Sequence, residues 1–199
     1  MLSGEVCIFS IPGSGQFAYP FTGSSTTALF ISQLSKLCGL RVLKIVDVAK
    51  HGARLSQRGA DLLIDSHDVE RASNIIGGVT ENKLRLAVDC VGRTTATYLL
   101  STLASRPVDS ERAHLVGLTG LPKTSVLGVT QHSVPIKLFH ELPQVGEALM
   151  TWLESLLQNN LLDLPDVDIA EGGLAGINAA LDQMRRGEVS GKRIVVPLT

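Results

Sequence analysis

The stretch Gly23-Ser24-Ser25-Thr26-Thr27-Ala28 joins a glycine to a run of hydroxyl residues at the start of a helical pattern. Gly23 allows close backbone approach, and Ser24, Ser25 and Thr26 can cap a helix or donate hydroxyl hydrogen bonds. The unpaired N–H groups of a first helical turn and the positive end of its dipole favour an anion such as a pyrophosphate. The full G-x-G-x-x-G is absent, and Ala28 stands where its last glycine would fall. An ordinary Ser/Thr-capped helix therefore accounts for the same residues.

Asp47 adds a second element. It lies 24 residues beyond Gly23, at the end of the next apolar run. An acid at that offset sits over an adenosine ribose and accepts hydrogen bonds from its hydroxyls. Such a carboxylate repels a 2′-phosphate and favours NAD. Lys44, Lys50, His51 and Arg54 are close in sequence, however, and offer cations for the phosphate of NADP. A solvated acid at a strand end is the plain alternative.

Other reactive side chains give weaker patterns. The three cysteines, Cys7, Cys38 and Cys90, are far apart and form no CxxC. That supports neither a disulfide frame nor a local zinc motif, and reduced thiols are expected. Cys90 reads as a buried small hydrophobe at a strand end. His51, His67, His114, His132 and His140 share no ligand spacing, so no metal site is expected and surface or loop roles are. Tyr19 and Tyr98 have no acid/base context, and no catalytic residue can be named. The Met and Trp of the Leu149–Leu156 stretch read as core or interface.

The elements that must position these residues alternate in type. Helical spacing over 26–38 ends at Gly39, and RVLKIV (41–46) reads as a strand ending at Asp47. A helix over 53–58 precedes the strand 62–64; a helix over 69–76 closes at Gly77-Gly78; LRLAVDC (84–90) is the next strand. A helix over 95–104 and a strand over 113–117 follow, and 120–135 reads as a loop. Beyond it come a strong amphipathic helix at 145–156, a short strand at 167–170, a helix at 174–186 and a strand at 193–196. The first strand falls to 6–11 or 17–21, interrupted by Pro12 and Pro20. Such alternation predicts βαβ units and a parallel sheet: an α/β, Rossmann-type doubly wound sheet with a C-terminal helix–strand extension. The division expected is a segment 1–22, a dinucleotide-binding part 23–165 and a return segment 166–199.

Composition narrows the partners. In 199 residues, 44% are apolar and 19% charged, with a formal net charge of −1. This is a globular balance, without the basic excess expected of a nucleic-acid or anionic-membrane binder. No signal peptide or membrane span is expected, and a cytoplasmic protein is.

Four stretches together resemble the medium-chain dehydrogenase/reductase superfamily, especially its zinc-independent quinone reductase and enoyl reductase branches. They are GSSTTALFISQLSKLCGLRV, RLSQRGADLLIDS, LRLAVDCVG and EGGLAGINAALDQMRRGEVSGKRIVV. The helix–R-x-G-x-x-x-G-K–strand ending is the most specific, and fungal-type reductases of secondary metabolism are the nearest flavour. The resemblance implies that the exits Asp89-Cys90-Val91-Gly92 and Gly117-Leu118-Thr119-Gly120 face the ribose and nicotinamide. The cofactor-binding set is then Gly23, Ser24, Ser25, Thr26, Asp47, Lys50, Val91, Gly92, Leu118 and Thr119. Without the resemblance, Gly92 and Gly120 read as turn formers.

The resemblance favours NADP over NAD and implies hydride transfer to an activated C=C or C=O of a small molecule. It also implies a GroES-like catalytic domain ahead of the Rossmann part, for which the 22 residues before Gly23 leave no room. A homo-oligomer, or a partner supplying that half, is therefore expected. Two other functions remain open: a cofactor-binding or regulatory protein without turnover, and a non-redox isomerase or cyclase in the vacated pocket.

Overall fold

In the computed structural model, the described backbone comprises residues 5–9, 24–105, 107, 111–134, 137–189 and 192–197; side chains are described from Thr26 onward. The chain runs β1 (Glu5–Phe9), α1 (Ser24–Leu37), β2 (Arg41–Val46), α2 (Val48–Ser56), β3 (Leu62–Asp65) and α3 (Val69–Thr80). It continues with β4 (Leu86–Asp89), α4 (Arg93–Ala104), β5 (Ala113–Gly117) and β6 (Val129–Ser133). The last elements are α5 (Leu138–Glu141), α6 (Pro143–Gln158), β7 (Asp166–Ile169), α7 (Gly173–Arg185) and β8 (Lys192–Val195).

Six parallel strands form one sheet in the order β3-β2-β1-β4-β5-β6. The order reverses between β1 and β4, and ligands of open α/β sheets bind beyond the strand ends at such a switch point. β2 is buried from Val42 to Val46, as a strand covered on both faces must be. On one face Leu43 and Ile45 join Ile64, Ile76, Leu99, Leu103 and Leu115 under α3 and α4. On the other, Val42 packs with Ala28 and Cys90 beneath α1. The doubly wound architecture expected from the sequence is what the chain adopts.

Several boundaries differ from the expected ones for local reasons. The central strand is Glu5–Phe9, so the sheet begins ahead of Gly23, inside the segment set apart as 1–22; residues 17–21 lie outside the described residues. α2 starts five residues early because Asp47 caps it, accepting the Lys50 amide at 3.0 Å. α3 runs through Gly77-Gly78 and ends at Glu81, whose φ of 51° is left-handed. At Gly77 the missing Cβ makes room for Asn82, whose Oδ1 would lie 2.7 Å from it. The glycines thus admit the closing turn instead of stopping the helix.

The expected loop 120–135 contains β6, a strand of polar sequence (VTQHS). Being an edge strand, it carries no alternating apolar face for the sequence to display. It also takes His132 out of the expected loop and sets it beside His114 of the neighbouring strand. His114 on β5 and His132 on β6 hydrogen-bond through their rings at 2.9 Å. Burial, then the charges of His132, Arg85 and Arg112, hold His114 below the usual imidazole range.

The C-terminal unit pairs β7 with β8 in a separate parallel ribbon. Polar contacts tie it to the main layer. Gln33 of α1 clasps Asp163 from both sides, donating to its carbonyl (3.1 Å) and accepting its amide (2.6 Å). Arg58 of α2 donates to Asp166 at 2.7 Å, with Arg54 3.8 Å from the other oxygen. The α6 residues expected as core or interface are not core: Trp152 is 50% exposed and Met150 55%.

Candidate functional site

Three strand exits meet at the carboxyl edge of the sheet: those of β1, β4 and β5. Phe9 is level with Asp89, and Asp89 with Gly117, while the amide of Leu118 donates to the carbonyl of Asp89 at 2.9 Å. The sheet order therefore brings Val91-Gly92 and Leu118-Thr119 side by side, although 27 residues separate Val91 from Leu118. Local sequence explains how each turn is held.

Asp89 shapes the first turn. Its carboxylate is fully buried, and Oδ1 accepts the amides of Val91 (3.0 Å) and Gly92 (2.7 Å). Burial pushes its pKa up, against the Thr95 hydroxyl and those two backbone bonds. The second oxygen, Oδ2, is buried without a hydrogen-bond partner among the described residues. Thr95 closes the turn by donating to the Gly92 carbonyl at 2.9 Å. Sequence reasoning placed Asp89 in a strand exit but gave it no role. Its signal was a charged residue ending an apolar strand, followed three residues later by glycine.

Gly92 has φ 162°, extended backbone that any residue adopts, and a Cβ there would come no nearer than 3.9 Å to Thr119 Oγ1. The described protein does not itself require a glycine at this position. Bare backbone facing the edge suits a group laid flat against it. Gly117 differs. A Cβ there would fall 2.7 Å from Leu121 Cδ2 and 2.9 Å from the Gly120 carbonyl. The 117–121 turn is thus folded tightly back on β5, setting the positions of Leu118 and Thr119.

The remaining expected site residues divide into three groups. Gly23 lies outside the described residues, and of Ser24 and Ser25 the backbone alone is described, opening α1. Thr26 is buried. Asp47 stands at the end of β2, where expected, as the cap of α2; Lys50 is exposed one turn on. The structure therefore brings Val91, Gly92, Leu118 and Thr119 together at the switch point and leaves Asp47 and Lys50 two strands away, over β2.

Three of the four cations proposed to hold a 2′-phosphate are committed elsewhere. Lys44 is 1% exposed within β2. Burial, then the nearby Arg54, lowers its ammonium to about 8. His51 is buried against the sheet, and Arg54 faces Asp166. In place of these stand Asp65 at the end of β3, which the sequence did not single out, and His67 just beyond it, which was expected in a surface or loop role. Asp65 Oδ1 accepts the amide (2.8 Å) and meets the ring Nδ1 (2.9 Å) of His67, while His67 Nε2 lies 3.9 Å from Asp47 Oδ2. Cys90 is the buried hydrophobe expected, with burial raising its thiol to about 12. That is inert for nucleophilic work.

Two features of the described edge suit a flat, anionic ligand: an open backbone floor at Gly92 and a helix beginning at Ser24. Among the described residues, no side chain placed there is an evident general acid or base.

No family model matches the chain. It is 26% identical to the trans-enoyl reductase caaB of Aspergillus niger over 202 residues, covering 94% of this chain and 55% of that protein. It is 25% identical to lovC of Aspergillus terreus, the enoyl reductase component of lovastatin nonaketide synthase, covering 89% and 52%. Among solved structures, mycobacterial Rv1454c complexed with NADPH superposes with a TM-score of 0.69 at 17% identity, covering 97% of this chain and 57% of that one. The chain thus spans about half the length of the curated relatives it matches. Its curated relatives are trans-enoyl reductases, and the chain covers only the cofactor-binding part of such medium-chain dehydrogenase/reductase proteins.

Proposed function

We propose that this chain, the homologue of the cofactor-binding part of trans-enoyl reductases, binds a reduced nicotinamide dinucleotide and serves hydride transfer to an activated C=C of a small organic substrate. The convergence of Val91-Gly92 and Leu118-Thr119 at the β1/β4 switch point is the observation that carries it. Names of the relatives support an enoyl substrate from polyketide secondary metabolism. The cofactor would supply the hydride, and the chain supplies its orientation.

In this reading the first turn of α1 holds the pyrophosphate through backbone amides, with Gly23, Ser24, Ser25 and Thr26 around it. Asp47 takes the adenosine ribose. Asp89 acts as a positioning residue: by fixing the Val91 and Gly92 amides it keeps the 91–92 backbone flat under the ribose on the nicotinamide side. Leu118 and Thr119 extend the same floor alongside, with Leu118 excluding water. In this reading the chain contributes chiefly by positioning.

The reading extends to a partner. The apolar faces of α6 and of the β7–α7–β8 unit would be covered by a second copy of the chain, or by a polypeptide that holds the substrate. Neither a turnover-free binder nor a non-redox isomerase is favoured by an observation of its own.

The test is a fluorescence titration of the chain with NADH and NADPH, followed by turnover on enones and enoyl thioesters. Saturable binding is expected, with turnover once the substrate-holding surface is present. Gly23→Trp should abolish binding, and a chain that binds neither dinucleotide would refute the proposal.

A further inference from the structure

The adenosine end of the site carries more information than Asp47 alone. Where a dinucleotide bears a 2′-phosphate, the phosphate needs cations or free amides close to the ends of β2 and β3. The first turn of α2 is the amide source nearest to that position, and the protein already uses it. The Lys50 amide donates to Asp47 Oδ1 at 3.0 Å and the Val48 amide to Asp65 Oδ2 at 3.4 Å. Two carboxylates therefore stand where a phosphate would seek donors.

His67 fixes the second of them. Its backbone amide and ring both engage Asp65 Oδ1, and its other ring nitrogen faces Asp47. Those bonds, the backbone one first, hold the Asp65 carboxyl below its usual range, so it stays charged at neutral pH. Asp65 and His67 are both about half exposed and border the same edge. Of the four cations near Asp47 in sequence, Lys44 is buried in the sheet, His51 is buried beneath α2 and Arg54 faces Asp166. Lys50 alone of these four is exposed.

We infer that Asp65, locked by His67 and acting with Asp47, makes this chain select NADH over NADPH. The inference rests on the dinucleotide reading above and sharpens it. An adenosine ribose offers hydroxyl donors, which two carboxylates accept. A 2′-phosphate offers only negative charge and oxygen acceptors, and like charges at such a contact are repelled.

The experiment is a pair of fluorescence titrations of the whole chain, with NADH and with NADPH, repeated for Asp65→Asn, Asp65→Ser and His67→Gln. The parent chain should bind NADH at least about tenfold more tightly than NADPH. Asp65→Asn removes charge but keeps an acceptor, and should narrow the gap several-fold. Asp65→Ser also frees the Val48 amide and should narrow it further, and His67→Gln should act in the same direction more weakly. Far-ultraviolet circular dichroism of each variant, with 5′-AMP and 2′,5′-ADP competition against NADH on the parent, guards against a variant that fails to fold. Equal or tighter binding of NADPH by the parent overturns the inference and leaves the dinucleotide reading standing. A ratio unmoved by both Asp65 variants likewise overturns the role of Asp65. Binding of neither dinucleotide overturns both.

Discussion

The six-stranded layer and the C-terminal unit use the same alphabet of amphipathic segments and end in opposite states. In the first, Leu43, Ile45, Ile64, Leu99 and Leu115 are all but removed from water. In the second, Ile169 and Leu174 are each 71% exposed and Trp152 half so. Sequence periodicity marks α6 and α7 as strongly as it marks α3 and α4. The difference teaches that amphipathicity specifies a face, while burial requires something to meet that face. Within the described residues the first layer finds its partner in itself. The second is tied to it by polar clasps, Gln33–Asp163 and Arg58–Asp166.

Substitutions can break this contrast. Leu115→Ala in the closed layer should cost about 2–5 kcal/mol in a urea melt. Ile169→Ala should cost under about 0.5 kcal/mol if its face is open to water. A comparable loss at both positions would show that the second face is covered in solution.

Lys44 is the flaw inside the well-packed layer. Its folded pKa of about 8 lies below the unfolded value of 10.5. The unfolded chain therefore binds more protons between those values, and stability should rise as pH climbs from 8 to 10.5. Lys44→Met should stabilise the chain at pH 7 by up to about 3 kcal/mol and flatten that rise. Melts at pH 7 and pH 10 would read it, and an unchanged slope would count against a charged, buried Lys44.

At the edge of the same layer, Asp89→Ala should leave the Val91 and Gly92 amides without their acceptor and cost about 1–3 kcal/mol. It should also weaken dinucleotide binding, whereas Asp89→Asn, which keeps the acceptor, should retain most of it. Asp89 is the opposite linkage case to Lys44. Its raised pKa means that the folded state holds the proton more tightly, so its contribution falls as pH rises through the acid range above the ordinary Asp value. The smallest effect concerns the open face. Sedimentation at micromolar concentration should show self-association that Trp152→Ser with Leu149→Ser reduces, with little change in the melt. A monomeric parent would remove a second copy from the reading.

Much of the layer was legible because its strands are short apolar runs between strong helical periods. β2 and β5 could be read to the residue. β6 could not be, since an edge strand needs no alternating pattern, and β1 was obscured by two prolines that follow it. The candidate site was legible in parts. Gly92, Leu118 and Asp47 were expected through the resemblance and through the offset from Gly23, and the structure brings the first two together while Asp47 stands apart at the end of β2. Asp65 escaped because nothing local distinguishes a capping carboxylate from a solvated one; for the same reason Asp89 was placed in its strand exit without a role, and His67 was read only as a surface or loop residue.

Sequence alone determined the class of fold and the kind of residues at each strand exit, because side-chain periodicity and turn chemistry act over a few neighbours. Tertiary structure decided which exits stand together, which cations are withdrawn from the end of β2 and which apolar faces are exposed among the described residues. Those outcomes depend on strand order and on contacts between residues tens of positions apart. No local pattern encodes them.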